Sequence, residues 1–171
     1  LGIAAGARVL SGLNDTQAGA LAAGAATGDA AGLSLGTTAV IAARCGRHRA
    51  DPRTSVFASP GPCPTGSAGY LMSAENGIAG AALEHVSRLL YPGDAEPADR
   101  YAAFGADAAA APPGSGGVLF LPWLRGALAP VADGRMRGGF LNVGLEHDRT
   151  HLARAVVEGI SLNVRRLRGP A

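Results

Sequence analysis

The apolar positions along this chain change rhythm several times, and each change marks an element. Leu152, Val156, Ile160, Val164 and Leu167 repeat every three or four residues, the stripe of an amphipathic helix. Asp148 is placed to cap its start. Arg165, Arg166 and Arg168 fall in its last turn, where cations favour the dipole, and Gly169-Pro170 reads as a stop. Ala79, Leu83, Val86 and Leu90 repeat in the same way and end at Tyr91-Pro92-Gly93. Gly77 and Gly80 fall inside that pattern, where each glycine costs about 1 kcal/mol against alanine. An Ala-rich stretch from Thr16 to Ala26 and a second from Pro97 to Ala111 predict two more helices; Asn14 or Asp15 is the N-cap of the first and Gly28 its stop.

Between these helices the rhythm shortens. Two apolar runs between Gly32 and Ala43 flank Gly36-Thr37-Thr38, which predicts two strands joined by a tight turn. Arg44 to Gly69 is rich in Arg, Pro, Gly and Ser and reads as loops with one short strand near Ser55 to Ala58. Pro112 to Gly117 is a loop that delivers Val118 to Leu121 as a buried strand. Helices alternate with strands, with no internal repeat and no linker, so the class is α/β.

Composition narrows the function. The chain has 171 residues and 47% apolar content, enough to bury a core without disulfides or metals. No run approaches 18 apolar residues, which predicts no membrane span. The net charge of +2 is too small to point to nucleic acid. All the basic side chains are arginines, so phosphate-loop, Schiff-base and protein-kinase lysines are excluded from this chain. Cys45 and Cys63 share no metal-site spacing and read as reduced thiols of a cytoplasmic protein. The opening Leu1 to Gly6 lacks the basic start of a secretory signal, and Arg8 interrupts the apolar stretch.

Few residues suggest chemistry by themselves. Asp15 heads a helix between Gly12 and Gly19; it is either an ordinary N-cap or a general base held by backbone N–H groups. Gly36-Thr37-Thr38 is either a plain hairpin turn or a small, hydroxyl-bearing turn that a phosphate can approach. Gly77 and Gly80 fit either close helix packing or space left for a ligand. His147 and His151 are four apart but lack a third ligand and the HExxH order, so solvated or capping roles are expected, with no metal site. No Ser/His/Asp set can be argued.

Six segments read in order go further. These are Gly12-Leu13-Asn14-Asp15-Thr16-Gln17-Ala18-Gly19, Leu33-Ser34-Leu35-Gly36-Thr37-Thr38 and Ala79-Gly80-Ala81-Ala82-Leu83-Glu84. Then follow Phe120-Leu121-Pro122-Trp123-Leu124-Arg125-Gly126, Arg137-Gly138-Gly139-Phe140-Leu141-Asn142-Val143 and the run from His151 to Gly159. Together they resemble the C-terminal domain of the FGGY carbohydrate kinases, and xylulokinase-like members above all. The resemblance implies an actin-like, ribonuclease-H-like fold in a kinase of two domains, with sugar and ATP meeting in the cleft between them. It implies phosphoryl transfer from ATP, with Mg²⁺, to a sugar hydroxyl, a xylulose-like ketose being favoured. Asp15 matches the family's catalytic aspartate, the general base. Gly36 and Thr37 match the turn that contacts the ATP phosphates, with Thr38 beside them. Gly80 and Glu84 match helix positions near the nucleotide, Gly80 giving the ligand room.

The resemblance also marks departures. Some relatives carry Gln at Glu84, and many carry Trp at His85. Ala127-Leu128-Ala129-Pro130 stands where Glu-Arg-Thr-Pro or similar is usual, and Asn142 replaces a frequent Gly. Residues 1–171 are expected to be part of the C-terminal domain. The N-terminal domain and a later Gly-rich adenine-contacting loop are expected to lie elsewhere in a longer polypeptide, so this piece alone is expected to be inactive. The partners are then a sugar and the N-terminal domain, with no nucleic acid and no membrane; homodimers among relatives leave a homodimer open. The alternative is a decayed kinase domain acting as a non-catalytic module, against which the retained Asp15 argues. Apolar surfaces are expected where the partner segments would pack.

Overall fold

The fold was analysed in a computed structural model, which describes residues 6–7, 12–25, 30–52, 55–61, 69–93, 96–128 and 131–167. Four strands form an antiparallel sheet. β1 (Ala31–Leu35) and β2 (Ala39–Cys45) are the expected hairpin around Gly36-Thr37-Thr38, and β3 (Val56–Pro60) is the expected short strand. β4 (Tyr70–Asn76) was not foreseen and is the inner partner of both β2 and β3, in the order β1-β2-β4-β3. It mixes Leu71 and Ala74 with Ser73, Glu75 and Asn76, and is buried on both faces, so no alternation announces it.

The helix α1 (Asp15–Ala22) lies across one face. Gly32 makes this possible, because a Cβ there would sit 3.1 Å from the Ala20 Cα. Ala20, Ala25, Ala42 and Leu71 form the small core beneath it. The helix stops earlier than expected. Gly24 takes φ +79°, its N–H bonds Leu21 O at 2.9 Å, and Ala25 N–H bonds Ala20 O at 2.9 Å, a Schellman closure that needs a residue free to adopt positive φ. Gly28, the expected stop, and Cys63 lie outside the described residues, as do Ala129, Pro130 and Arg168 to Pro170.

The second half is built from α2 (Gly80–Leu90), α3 (Pro97–Ala110), α4 (Arg149–Leu167) and a two-stranded ribbon, β5 (Leu119–Leu121) with β6 (Gly139–Leu141). Pro97 starts α3 at a position where its missing N–H costs nothing. Phe104, Phe120, Val86, Val118 and Val156 are buried in one apolar cluster. The buried face of α4 differs from the expected stripe: Ala153, Ala155, Val156, Gly159 and Asn163 are buried, whereas Leu152 and Ile160 only flank it. Gly159 explains the shift. The Phe120 carbonyl of β5 occupies the space its Cβ would need, so α4 touches the ribbon backbone to backbone. Gly77 and Gly80 are not interior helix residues: Gly77 precedes α2 and Gly80 is its first residue.

Polar networks tie the helices together. Tyr91 Oη donates to Asp107 Oδ2 at 2.6 Å, Arg149 Nε donates to the same oxygen at 2.7 Å, and the guanidinium lies 4.6 Å from the Tyr91 ring centroid. Burial first, then the Asp107 hydrogen bond, pushes the Tyr91 hydroxyl up to about 12. The Tyr91 bond, then Arg149, holds Asp107 below the usual carboxylate range against the opposing effect of burial. Burial opposes the ionisation of Glu158, but hydrogen bonds from Arg154, Gly114 N–H and Ser115 Oγ together outweigh it and lower its pKa. Asp148 caps α4 as expected, accepting from Thr150 N–H and Oγ1 and from His151 N–H. Those bonds hold it far below the ordinary range.

Candidate active site

The head of α1 separates two roles that the sequence left open. Asn14 is the N-cap: its Oδ1 accepts the Gln17 N–H at 2.7 Å. Asp15 is therefore the first helical residue, exposed, with Oδ1 held by the Thr16 N–H at 2.8 Å. Because Asn14 does the capping, Asp15 keeps Oδ2 without a partner among the described residues. Gln17 fixes the orientation of the helix on the sheet by donating to Ser59 Oγ of β3 at 2.8 Å. Thr16, Gly19, Gly32, Leu33, Ser34 and Val40 border a depression of about 140 Å³ beside this helix.

The Gly36-Thr37-Thr38 turn docks on the start of α2. Ala79 N–H and Ala81 N–H bond the Thr37 carbonyl at 2.9 and 3.2 Å, and Gly80 N–H bonds the Gly36 carbonyl at 2.9 Å. The first amides of a helix have no intrahelical acceptor; here the turn supplies one. This contact explains Gly80. A Cβ at that position would run into the Gly36 carbonyl oxygen. The missing side chain thus makes room for the turn itself. Thr37 is exposed and Thr38 half-buried, and neither hydroxyl has a partner among the described residues.

Glu84, one turn into α2, is half-exposed and pairs with Arg88 on the same helix, so its charge is already offset. His85 is exposed. The segment that departs from the family pattern packs beside the start of α2: a Cβ at Gly77 would lie 2.9 Å from Leu128 Cδ1, and Ser55 Oγ donates to the Leu128 carbonyl at 3.0 Å. Ala127 is buried and exchanges both backbone hydrogen bonds with Asp133 at 2.9 Å. Asn142 stands at φ +60° and donates to the Gly117 carbonyl at 3.1 Å. Asn tolerates this left-handed conformation better than most residues, which fits a position where relatives carry Gly.

The two histidines do structural work. His147 Nδ1 accepts from Gly144 N–H at 2.8 Å. The ring proton therefore sits on Nε2, which donates to Gly116 O at 3.1 Å. His151 Nδ1 lies 2.8 Å from the capping Asp148 Oδ1. Among the described residues no three ligating side chains converge on a point that a metal ion could occupy, and no helix is long and apolar enough to cross a membrane. Sequence reasoning missed Asn76, which closes β4 beside this junction and is buried at 1% exposure. A polar residue at the end of an unrecognised strand gave no signal.

Residues 31–168 match the model of the FGGY family of carbohydrate kinases, C-terminal domain. The xylulose kinase of Lactococcus lactis is 42% identical over 53 residues, which is 31% of this chain and 11% of that protein. The gluconokinase of Bacillus subtilis is 40% identical over 52 residues, 30% of this chain and 10% of that protein. Among solved structures, xylulose kinase from Rhodospirillum rubrum superposes with a TM-score of 0.76 at 29% identity, over 89% of this chain and 29% of that one. Gluconate kinase from Lactobacillus acidophilus gives 0.72 at 30% identity, over 85% of this chain and 28% of that one. The chain thus spans under a third of the length of these solved relatives. Its α/β fold is the actin-like, ribonuclease-H-like fold expected from the six segments.

Proposed function

The chain belongs to the FGGY family of carbohydrate kinases, and on that premise we propose that it is part of the C-terminal domain of a two-domain enzyme. That enzyme transfers the γ-phosphoryl group of ATP to a hydroxyl of a xylulose-like ketose in the cytoplasm. The observation that carries the reading is the docked turn: an exposed threonine on a small loop, fixed by the first amides of α2. Thr37 and Thr38 hydroxyls donate to phosphate oxygens, and Gly36 and Gly80 set how closely the turn and α2 approach each other. Asp15 takes the proton of the attacking sugar hydroxyl on Oδ2 while the Thr16 N–H holds Oδ1 in place. The sugar oxygen then bonds to the γ-phosphorus as its bond to the ADP oxygen breaks.

Mg²⁺ bound with the nucleotide would neutralise charge on the phosphates while taking few ligands from the protein. The donor set suits that division of labour. Asp15 is the unpaired carboxylate at the head of α1, and Glu84 is already paired with Arg88. The remaining phosphate contacts and most of the sugar contacts come from an N-terminal domain of the same polypeptide.

The test is ATP turnover by the complete polypeptide that carries these residues, measured with D-xylulose, gluconate and no sugar. Ketose-dependent release of ADP supports the reading. Binding of MgATP with no turnover on any sugar would favour the decayed module, for which the apolar Ala127-Leu128 seat is the structural argument.

A further inference from the structure

We propose that Asn76 is a positioning residue for the nucleotide, coupling the Gly36–Thr38 turn to the start of α2 through its buried side-chain amide. The inference rests on the reading of that turn as a phosphate contact. Asn76 closes the β2–β4 ladder opposite Ala39. The next residues on the two strands are therefore Thr38 of the turn and Gly77 ahead of α2. Its Oδ1 accepts the Ile78 N–H at 3.3 Å. This bond decides which end of the amide is which, and leaves Nδ2 as the donor end. Nδ2 is buried and has no acceptor among the described residues.

A buried donor without an acceptor is costly, and the Ile78 bond accounts only for the oxygen end of the amide. Its retention at the meeting point of the turn, β4 and α2 calls for a second arrangement in which the donor is used. The carbonyls that could serve are adjacent. Gly36 and Thr37 each accept from α2 amides, and Thr38 O accepts the Gly36 N–H at 2.8 Å. A carbonyl has two lone pairs; Thr37 O already accepts two amides, whereas Gly36 O and Thr38 O can each take a further hydrogen. Phosphate that draws on the turn's hydroxyls shifts the turn and brings one of these carbonyls onto Nδ2. A bond made only in the bound arrangement adds to affinity.

The test measures melting temperature and MgATP affinity on the complete polypeptide for Asn76→Leu, with Thr37→Val and Asn163→Leu beside it. Asn163 also buries an unpartnered Nδ2, but on α4. Asn76→Leu loses the Ile78 bond as well, so it is expected to melt lower than the wild type, and its folded form to bind MgATP about 5- to 10-fold more weakly, the worth of one neutral hydrogen bond. Asn163→Leu is expected to leave affinity unchanged. A purely structural Asn76 would lower the melting temperature but spare the affinity of the folded protein, and that result overturns the inference. Should Asn76→Leu fail to fold, the wild type carries the test: the Asn76 side-chain NH₂ resonances move downfield on adding MgATP, and unmoved resonances overturn the inference. Loss of affinity in Thr37→Val but not in Asn76→Leu removes this inference alone. Unchanged affinity in Thr37→Val removes the phosphate reading, and this inference with it.

Discussion

The two halves of this molecule are held together by different means. Around α3, α4 and the β5–β6 ribbon, large side chains interlock, with Phe104, Phe120 and Val156 in one cluster. Around α1 and the β1–β2 hairpin the buried residues are Ala20, Ala25, Ala42 and Leu71, and the joints are backbone: Gly32 beneath Ala20, and the Gly36 turn on α2. The helical half stabilises by area removed from water. The half around α1 and the hairpin places atoms by close approach, which leaves small exposed groups where a ligand can reach them. Every residue proposed to touch substrate or nucleotide lies in that hairpin half or at its border with α2.

The sharpest test of this division is Asp15→Asn. In the complete polypeptide kcat should fall by at least about 10²-fold, the usual worth of a general base. MgATP affinity and melting temperature should barely move, because Asn14 supplies the cap. An active Asp15→Asn enzyme would sink the base assignment. Phe120→Ala is the mirror image: it should cost about 3–5 kcal/mol of stability in denaturant unfolding, while the folded fraction keeps its affinity for MgATP. Loss of affinity there would mean that the halves are not separable.

Two smaller effects sharpen the comparison. Gly80→Ala should displace the turn from α2, costing about 1–3 kcal/mol as an overpacked contact and raising KM for ATP more than it lowers kcat. An unchanged KM would detach the turn from nucleotide binding. The smallest effect is a pH dependence confined to the helical half. Tyr91 has its pKa raised from 10.0 to about 12, so its contribution is fully present below pH 10 and is lost as pH rises through about 12. Asp107 and Glu158 have lowered values, so theirs is present above the ordinary carboxylate range and is lost as pH falls through the lower folded values. Tyr91→Phe should remove the alkaline slope in thermal melts taken between pH 9 and 12 and weaken the acid slope, because Asp107 loses the bond that does most to lower its pKa; a persisting alkaline slope would assign it elsewhere.

Much of the fold was legible because helices and the hairpin announce themselves through period and turn chemistry. The legible features include the Gly36-Thr37-Thr38 turn, the Asp148 cap and the ends of α2 and α3. β4 was not, because a strand buried on both faces and carrying Ser73, Glu75 and Asn76 has no alternation. β6 is only three residues long and begins with glycine. The face of α4 was misjudged because its contact is made by small residues: Gly159 lets the backbone of β5 come close, and no apolar stripe records that. At the site, Asp15 and Thr37 carry recognisable patterns. The meaning of Gly80 does not, since the atom that excludes its side chain belongs to a residue 44 positions away in the chain (36 against 80). Exposed apolar residues include Leu35 on β1 at 65% exposure and Leu119 and Leu141, side by side on the ribbon, at 53% and 50%.

The contact between Gly36 and Gly80 is one-sided, and this bears on any attempt to evolve the protein in the laboratory. A methyl group on Gly80 collides with the turn, whereas one on Gly36 meets only Thr38 O at 4.0 Å. In a saturation library, position 36 should therefore accept alanine while position 80 stays glycine. Selection that altered the hairpin tip for a new nucleotide would find its variants at 36 to 38, and the helix start would serve as the fixed anvil against which they are shaped.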